Sequence, residues 1–106
     1  GYETEVMVHK RLSGPHVPAF AGAGDLAAIP YIAMAFVAGE RLAETMHKAP
    51  LPTAEVVRIG GAIAVALADL HRQKVVHLDL KPENVMITPN GAVLLDFGLS
   101  RHAELP

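Results

Sequence analysis

The chain of 106 residues carries 51% hydrophobic and 19% charged side chains, enough apolar material for a core and too little charge for a disordered segment. Nine Lys and Arg against eleven Asp and Glu give a formal net charge of −2, so no basic surface invites nucleic acid or anionic lipid. Cysteine is absent, which excludes disulfides, thiolate zinc sites and cysteine nucleophiles and suits a reducing compartment.

The longest apolar runs, Ile59–Ala68 and Ala28–Ala38, fall well short of the roughly 20 residues that a membrane helix needs. The opening Gly1-Tyr2-Glu3-Thr4-Glu5 carries acids where a signal peptide carries cations. The expectation is a cytoplasmic chain with no membrane segment. With no initiator Met, it reads as a piece of a longer polypeptide.

In chain order, Glu3–Leu12 reads as a helix, ended by Ser13-Gly14-Pro15. Val17–Ala21 and Tyr31–Val37 are short apolar runs around a turn-rich Gly22-Ala23-Gly24-Asp25, which predicts an antiparallel pair. Gly39 breaks the chain, and Leu42–Lys48 forms a short helix. The clearest helix runs from Ala54 to Arg72 with Thr53 as its N-cap and Glu55 near the positive end of the dipole. Val56, Ile59, Ile63, Leu67 and Leu70 make its apolar face. Gly60-Gly61 costs roughly 1 kcal/mol per Gly against Ala, a cost that close approach of a neighbouring element would offset. Lys74–His77 is strand-like. Val85–Thr88 and Ala92–Leu95 flank Pro89-Asn90-Gly91, and Asn-Gly between apolar runs is a strong hairpin signal. Leu99–Pro106 has no period. The order is α+β, with Met7, Met46, Ile63 and Leu67 as core candidates.

The chemistry concentrates between the long helix and the hairpin, in His77-Leu78-Asp79-Leu80-Lys81-Pro82-Glu83-Asn84, and at the hairpin exit, Asp96-Phe97-Gly98. Asp79 and Lys81 can point a carboxylate and an ammonium into one cleft. Asn84 begins one hairpin strand and Asp96 follows the other, so an amide oxygen and a carboxylate converge. Hard oxygen ligands suit Mg²⁺, and acid, cation and Mg²⁺ ligands together are what phosphoryl transfer requires. The six histidines take no HExxH spacing, which argues against zinc. Gly22-Ala23-Gly24 has no following Lys-Ser/Thr and reads as a turn instead of a phosphate loop. His77 reads as structural, bonding backbone near Asp96-Phe97.

These residues resemble the eukaryotic-type protein kinases, and within them the bacterial serine/threonine kinases. HLDLKPENVM is similar to the catalytic loop and LLDFGLSR to the DFG segment that opens the activation loop. The resemblance implies a kinase-like fold and transfer of the γ-phosphate of Mg-ATP to Ser or Thr hydroxyls of protein substrates. It implies Asp79 as catalytic base, Lys81 as the neutraliser of the γ-phosphate, and Asn84 and Asp96 as Mg²⁺ ligands. Upstream, it implies Met34 as gatekeeper, the Ala35 carbonyl and Val37 amide as adenine contacts, and Met86 as the floor under the base. Glu5 corresponds to the glutamate of the helix that pairs with a lysine of the third strand. Residues 1–34 would be a small-lobe remnant, 35–40 the hinge and 41–106 the start of the large lobe.

Three departures stand out. Leu78 replaces the Arg that in many kinases pairs with a phosphorylated activation loop. Ala35 replaces an acidic hinge residue, and the Asn84-to-Asp96 spacing is one residue short. The glycine-rich loop and strand-three lysine lie outside this sequence, so the expectation is that the segment alone is inactive. Two rivals remain: a kinase-like small-molecule phosphotransferase, which Lys81-Pro82 and Phe97-Gly98 disfavour, and a pseudokinase interaction module, which Asp79, Asn84 and Asp96 disfavour.

Overall fold

The computed structural model describes residues 2–27 and 29–105. Helix α1 (Tyr2–Arg11) carries Glu3 and Glu5 in its first turn and His9, Lys10 and Arg11 in its last, charges that match the helix dipole at both ends. The strand β1 (Phe20–Leu26) pairs antiparallel with β2 (Ile29–Met34). The turn expected at Gly22–Asp25 lies further on, where Ala27 has φ 52°; Ala28 is outside the described residues. The reason is packing. Gly24 sits opposite Tyr31, and a Cβ on Gly24 would come within 2.8 Å of the Tyr31 hydroxyl. Glycine there lets the ring lie over the strand, and the Tyr2 hydroxyl reaches the Gly24 and Tyr31 carbonyls, each at 3.0 Å. Val17 and Pro18 stay outside the strand, while the preceding His16 carbonyl accepts the Leu94 amide at 2.8 Å.

Downstream, β3 (Glu40–Arg41) leads into α2 (Leu42–Met46), which stops before the expected Lys48. The long helix α3 (Thr53–Arg72) begins one residue earlier than its pattern suggests. Its N-cap is Pro52, not Thr53, and the cap makes no side-chain hydrogen bond. The Pro52 carbonyl accepts the Glu55 and Val56 amides instead. Ile59, Ala66 and Leu70 are buried on this helix, with Ile63 and Leu67 packed against the core. Val56 departs from the expected face and is exposed. Gly60 and Gly61 are also exposed, and a Cβ on either would meet nothing within 4 Å, so no close approach offsets their cost.

The strand β4 (Val75–Val76) precedes the hairpin of β5 (Val85–Thr88) and β6 (Gly91–Leu94). Val85 pairs with Leu94 and Thr88 with Gly91, so the central turn residues are Pro89 and Asn90. Pro89 presets its φ, the Thr88 hydroxyl donates to the Gly91 carbonyl and accepts the Asn90 amide, and Gly91 takes φ 127°, which favours glycine. β3 adds to the β5 edge, with Arg41 opposite Met86. In the tail read as aperiodic, β7 (Arg101–His102) pairs with β4.

Val8, Leu12 and Val17 meet Ala66, Leu70, Val75, Val85, Ala92, Leu94 and Phe97 in one core. Met7 and Met46, expected inside, are exposed. One clamp fastens the exit of α1 to the end of α3. The Gln73 side chain accepts the Ser13 amide and donates to the Ser13 carbonyl, both at 2.9 Å. Among the described residues no helix is long and apolar enough to cross a membrane.

Candidate active site

The loop between β4 and β5 is organised by His77. Its buried ring accepts the Asp79 amide on Nδ1 at 3.1 Å. The proton therefore sits on Nε2, which donates to the Leu95 carbonyl at 2.7 Å. The Ser100 hydroxyl donates to the His77 carbonyl at 2.9 Å. The expected backbone partner of His77 is thus Leu95, immediately before Asp96. Between these anchors Leu78 takes φ 67° with its side chain exposed.

Asp79 keeps its carboxylate partly open to solvent, with Lys81 Nζ 3.8 Å away. A 3-10 turn at Pro82–Asn84 follows, with Pro82 where no amide is needed and the Asn84 amide on the Lys81 carbonyl at 2.9 Å. It carries the buried Asn84 side chain back toward Asp79. Asn84 Nδ2 donates to the Asp79 carbonyl at 3.1 Å, which leaves Oδ1 as its open acceptor. The Leu95 amide donates to the Asn84 carbonyl at 2.8 Å. The start of β5 and the residue before Asp96 are thereby tied together.

Asp96 is exposed with φ 56°, and its Oδ1 accepts the Gly98 amide at 3.2 Å. Phe97 is fully buried, with its ring 5.0 Å from that of His9 and 5.1 Å from that of His77. Glu5, on α1, stands near Asp96. Burial first, and then the Asp96 charge, push its carboxyl above the usual range, with the Phe97 amide pulling the other way. Burial likewise holds the His9 imidazole below its ordinary value, opposed by Asp96. Among the described residues His9 Nε2, which is buried, has no hydrogen-bond partner and lies 3.8 Å from Glu5.

A cleft of about 430 Å³ lies between the strand pair and the hairpin. Met34, Ala35, Val37 and Met86 all line it. Pro18, Phe36, Arg41 and Leu95 complete the wall, and none of those four was singled out from the sequence. Only the two-residue pairing of β3 with β5 brings Arg41 here, too short a strand to leave a periodic signal. The Ala35 amide is spent on the Ala19 carbonyl at 2.8 Å. Among the described residues, the Ala35 carbonyl and Val37 amide make no backbone hydrogen bond and stay free for a ligand. Glu5 lies away from this lining, beside Asp96.

The donor set fits a hard divalent cation. Asn84 Oδ1 and the Asp96 carboxylate are oxygen donors at the two ends of one hairpin, and Mg²⁺ takes one or two protein oxygens together with substrate phosphates. Among the described residues no group of three His, Cys, Asp or Glu forms a metal cage.

The family model described as "Protein kinase domain" matches residues 1–106. The serine/threonine-protein kinase AfsK of Streptomyces griseus is 35% identical over 100 residues, 93% of this chain and 12% of its own length. Pkn3 of Myxococcus xanthus is 37% identical over 109 residues, 94% of this chain and 20% of its own. PknD of Mycobacterium tuberculosis is 35% identical over 98 residues, 91% and 15% respectively. The chain therefore spans a fifth or less of the length of these relatives.

Proposed function

The chain belongs to the protein kinase domain family, and from that footing we propose that it forms the nucleotide cleft and catalytic loop of a serine/threonine protein kinase. In this reading residues 1–34 belong to the small lobe, 35–40 are the hinge and 41–106 begin the large lobe. ATP is the phosphoryl donor, and a protein Ser or Thr hydroxyl is the acceptor.

Adenine lies between Met34 and Met86, meeting the open Ala35 carbonyl and Val37 amide. The Asp79 carboxylate accepts the proton of the attacking hydroxyl. Lys81, 3.8 Å from it, sets positive charge beside the transferring phosphoryl group. Asn84 and Asp96 hold Mg²⁺, which when bound neutralises phosphate charge. Glu5 presents a carboxylate beside Asp96 for a cation of the small lobe. The observation that carries the reading is the hydrogen-bonded frame joining Asp79 to Asn84, and Asn84 to the residue before Asp96. Base and metal ligands are then positioned by one hydrogen-bonded frame, as in-line transfer demands.

The test is Asp79→Asn in the full-length protein, with turnover and nucleotide affinity measured side by side. Asp79 faces the hydroxyl, so turnover should fall by about 10²-fold or more while ATP affinity stays near wild type. A variant that keeps most of its turnover removes Asp79 from the base role.

A further inference from the structure

The segment after Asp96 has no hydrophobic period of its own, yet it is fastened along its length. The Ser100 hydroxyl donates to the His77 carbonyl, Arg101 and His102 pair with β4, and the Ala103 amide donates to the Lys74 carbonyl at 2.9 Å. Glu104 follows, and each of its carboxylate oxygens takes a different cation. Oε1 accepts Lys74 Nζ at 2.9 Å and Oε2 accepts Arg11 Nη1 at 3.3 Å. Leu105 then packs against the core. The two cations come from distant parts of the chain: Arg11 ends α1, and Lys74 lies in the turn between α3 and β4. Among the described residues neither has another ion-pair partner.

What brings Arg11 and Lys74 together is the reciprocal bond between Ser13 and Gln73, two residues past one cation and one residue before the other. That bond keeps two like charges close whether or not Glu104 is docked, and like charges repel. Lys74 also takes φ 65°, a left-handed conformation uncommon for a residue with a side chain. With it, one residue turns both its carbonyl and its ammonium toward residues 103 and 104. We infer that Glu104 is a latch, whose carboxylate, seated between Arg11 and Lys74, holds the segment after Asp96 against the end of α1 and keeps it in its working position. The latch fixes the far end of that segment to the helix that carries Glu5, as the Ser100 bond to His77 fixes its near end. All three side chains are half-exposed, where salt screens ion pairs, so the latch loosens as ionic strength rises. Its closure stands on the geometry alone; its control of turnover rests on the phosphotransfer reading of the site.

The experiment compares full-length wild type with Glu104→Gln, Arg11→Gln and the double variant. Hydrogen exchange of the 101–105 amides is followed without nucleotide, and phosphate transfer from Mg-ATP is followed to dephosphorylated casein and to the protein itself. Glu104→Gln should speed the exchange by about threefold or more and lower turnover by a similar factor. Raising salt from about 0.05 M to about 0.5 M should speed exchange in wild type and leave Glu104→Gln unmoved. Arg11→Gln should act in the same direction, and the double variant should be no worse than Glu104→Gln alone, because both remove one interaction. Exchange that is unchanged in Glu104→Gln, or as salt-sensitive in it as in wild type, overturns the latch. Additive effects of the two substitutions overturn it too. Faster exchange with wild-type turnover overturns its control of turnover. The expected exchange pattern in a wild type that transfers no phosphate supports the latch and removes the phosphotransfer reading, an outcome distinct from the others.

Discussion

The buried amide of Asn84 reaches Asp79 at two points, its carbonyl oxygen at 3.1 Å and its carboxylate at 3.5 Å. The residue proposed to hold metal therefore also sets where the proposed base stands. Asn84→Asp exchanges this donor for a second carboxylate beside the first. Like charges at this range raise a carboxyl pKa, so the base of the variant stays protonated to higher pH. The acid limb of the kcat/KM profile should move up by about one unit or more. An acid limb that stays in place detaches Asn84 from Asp79.

Asp96→Ala should weaken Mg-ATP binding and turnover together, since the carboxylate offered to the metal is gone. Titrating Mg²⁺ against both proteins checks this, with the variant requiring about tenfold more. An unchanged Mg²⁺ requirement means Asp96 is not a ligand.

His9 is buried with an unpartnered Nε2 and an imidazole held below its ordinary value by that burial. The unfolded chain then binds the proton more readily than the folded one, so folding stability falls as pH drops through the ordinary histidine range. His9→Leu removes both the orphan atom, a cost of about 1–3 kcal/mol, and the pH dependence. Denaturant titrations should show the variant more stable, with its advantage larger at pH 5.5 than at pH 7.5. An advantage equal at both values would dismiss His9 as the titrating group.

Gly39 passes so close to the hairpin that a Cβ would lie 2.5 Å from the Ile87 carbonyl oxygen. The obstacle is backbone, so it cannot swing aside. Gly39→Ala should push β3 off β5, destabilise the protein by about 1–3 kcal/mol, and weaken nucleotide affinity severalfold through Arg41 and Val37. Thermal melts and binding of ATP decide it; a wild-type melt with wild-type affinity refutes the close approach.

Leu78 projects an apolar, exposed side chain where a cation could anchor a phosphate on the segment after Asp96. With no donor there, the working rate should not require phosphorylation of that segment. Phosphatase treatment, verified by mass spectrometry, should leave activity on a protein substrate within a factor of a few. A fall beyond about tenfold, worth roughly 1.4 kcal/mol of barrier, would transfer the anchoring role to another cation such as Arg101.

The sequence carries strong signals wherever local chemistry decides. The apolar stripe of α3, the Asn90-Gly91 neighbourhood and the polar run from His77 to Asn84 all correspond to what forms there, because period, turn residues and a 3-10 Pro act within a few positions. Where tertiary contact decides, the signal is missing or misleads. Gly22 and Gly24 look like turn residues, yet Gly24 is glycine to admit the Tyr31 ring. Gly60 and Gly61 look like packing residues, yet they face solvent. β3 and β7 have two residues each and exist only because β5 and β4 are there to pair with them. Arg41 was invisible for the same reason: its place in the cleft depends on register with Met86, a long-range fact.

α1 is moored at both ends, its exit by the reciprocal bond between Ser13 and Gln73 and its start by the Tyr2 hydroxyl on the Gly24 and Tyr31 carbonyls. Glu5 lies six residues from Arg11, about 9 Å along the helix axis, between these two moorings. A tilt of about 10° about the Gln73 end would carry Glu5 through roughly 1.5 Å, away from Asp96 and Phe97, and would have to break the Tyr2 bonds to do so. The seat of the Glu5 carboxylate is thus held jointly from the end of α3 and from the β1–β2 pair, by an amide and a phenol at opposite ends of one helix.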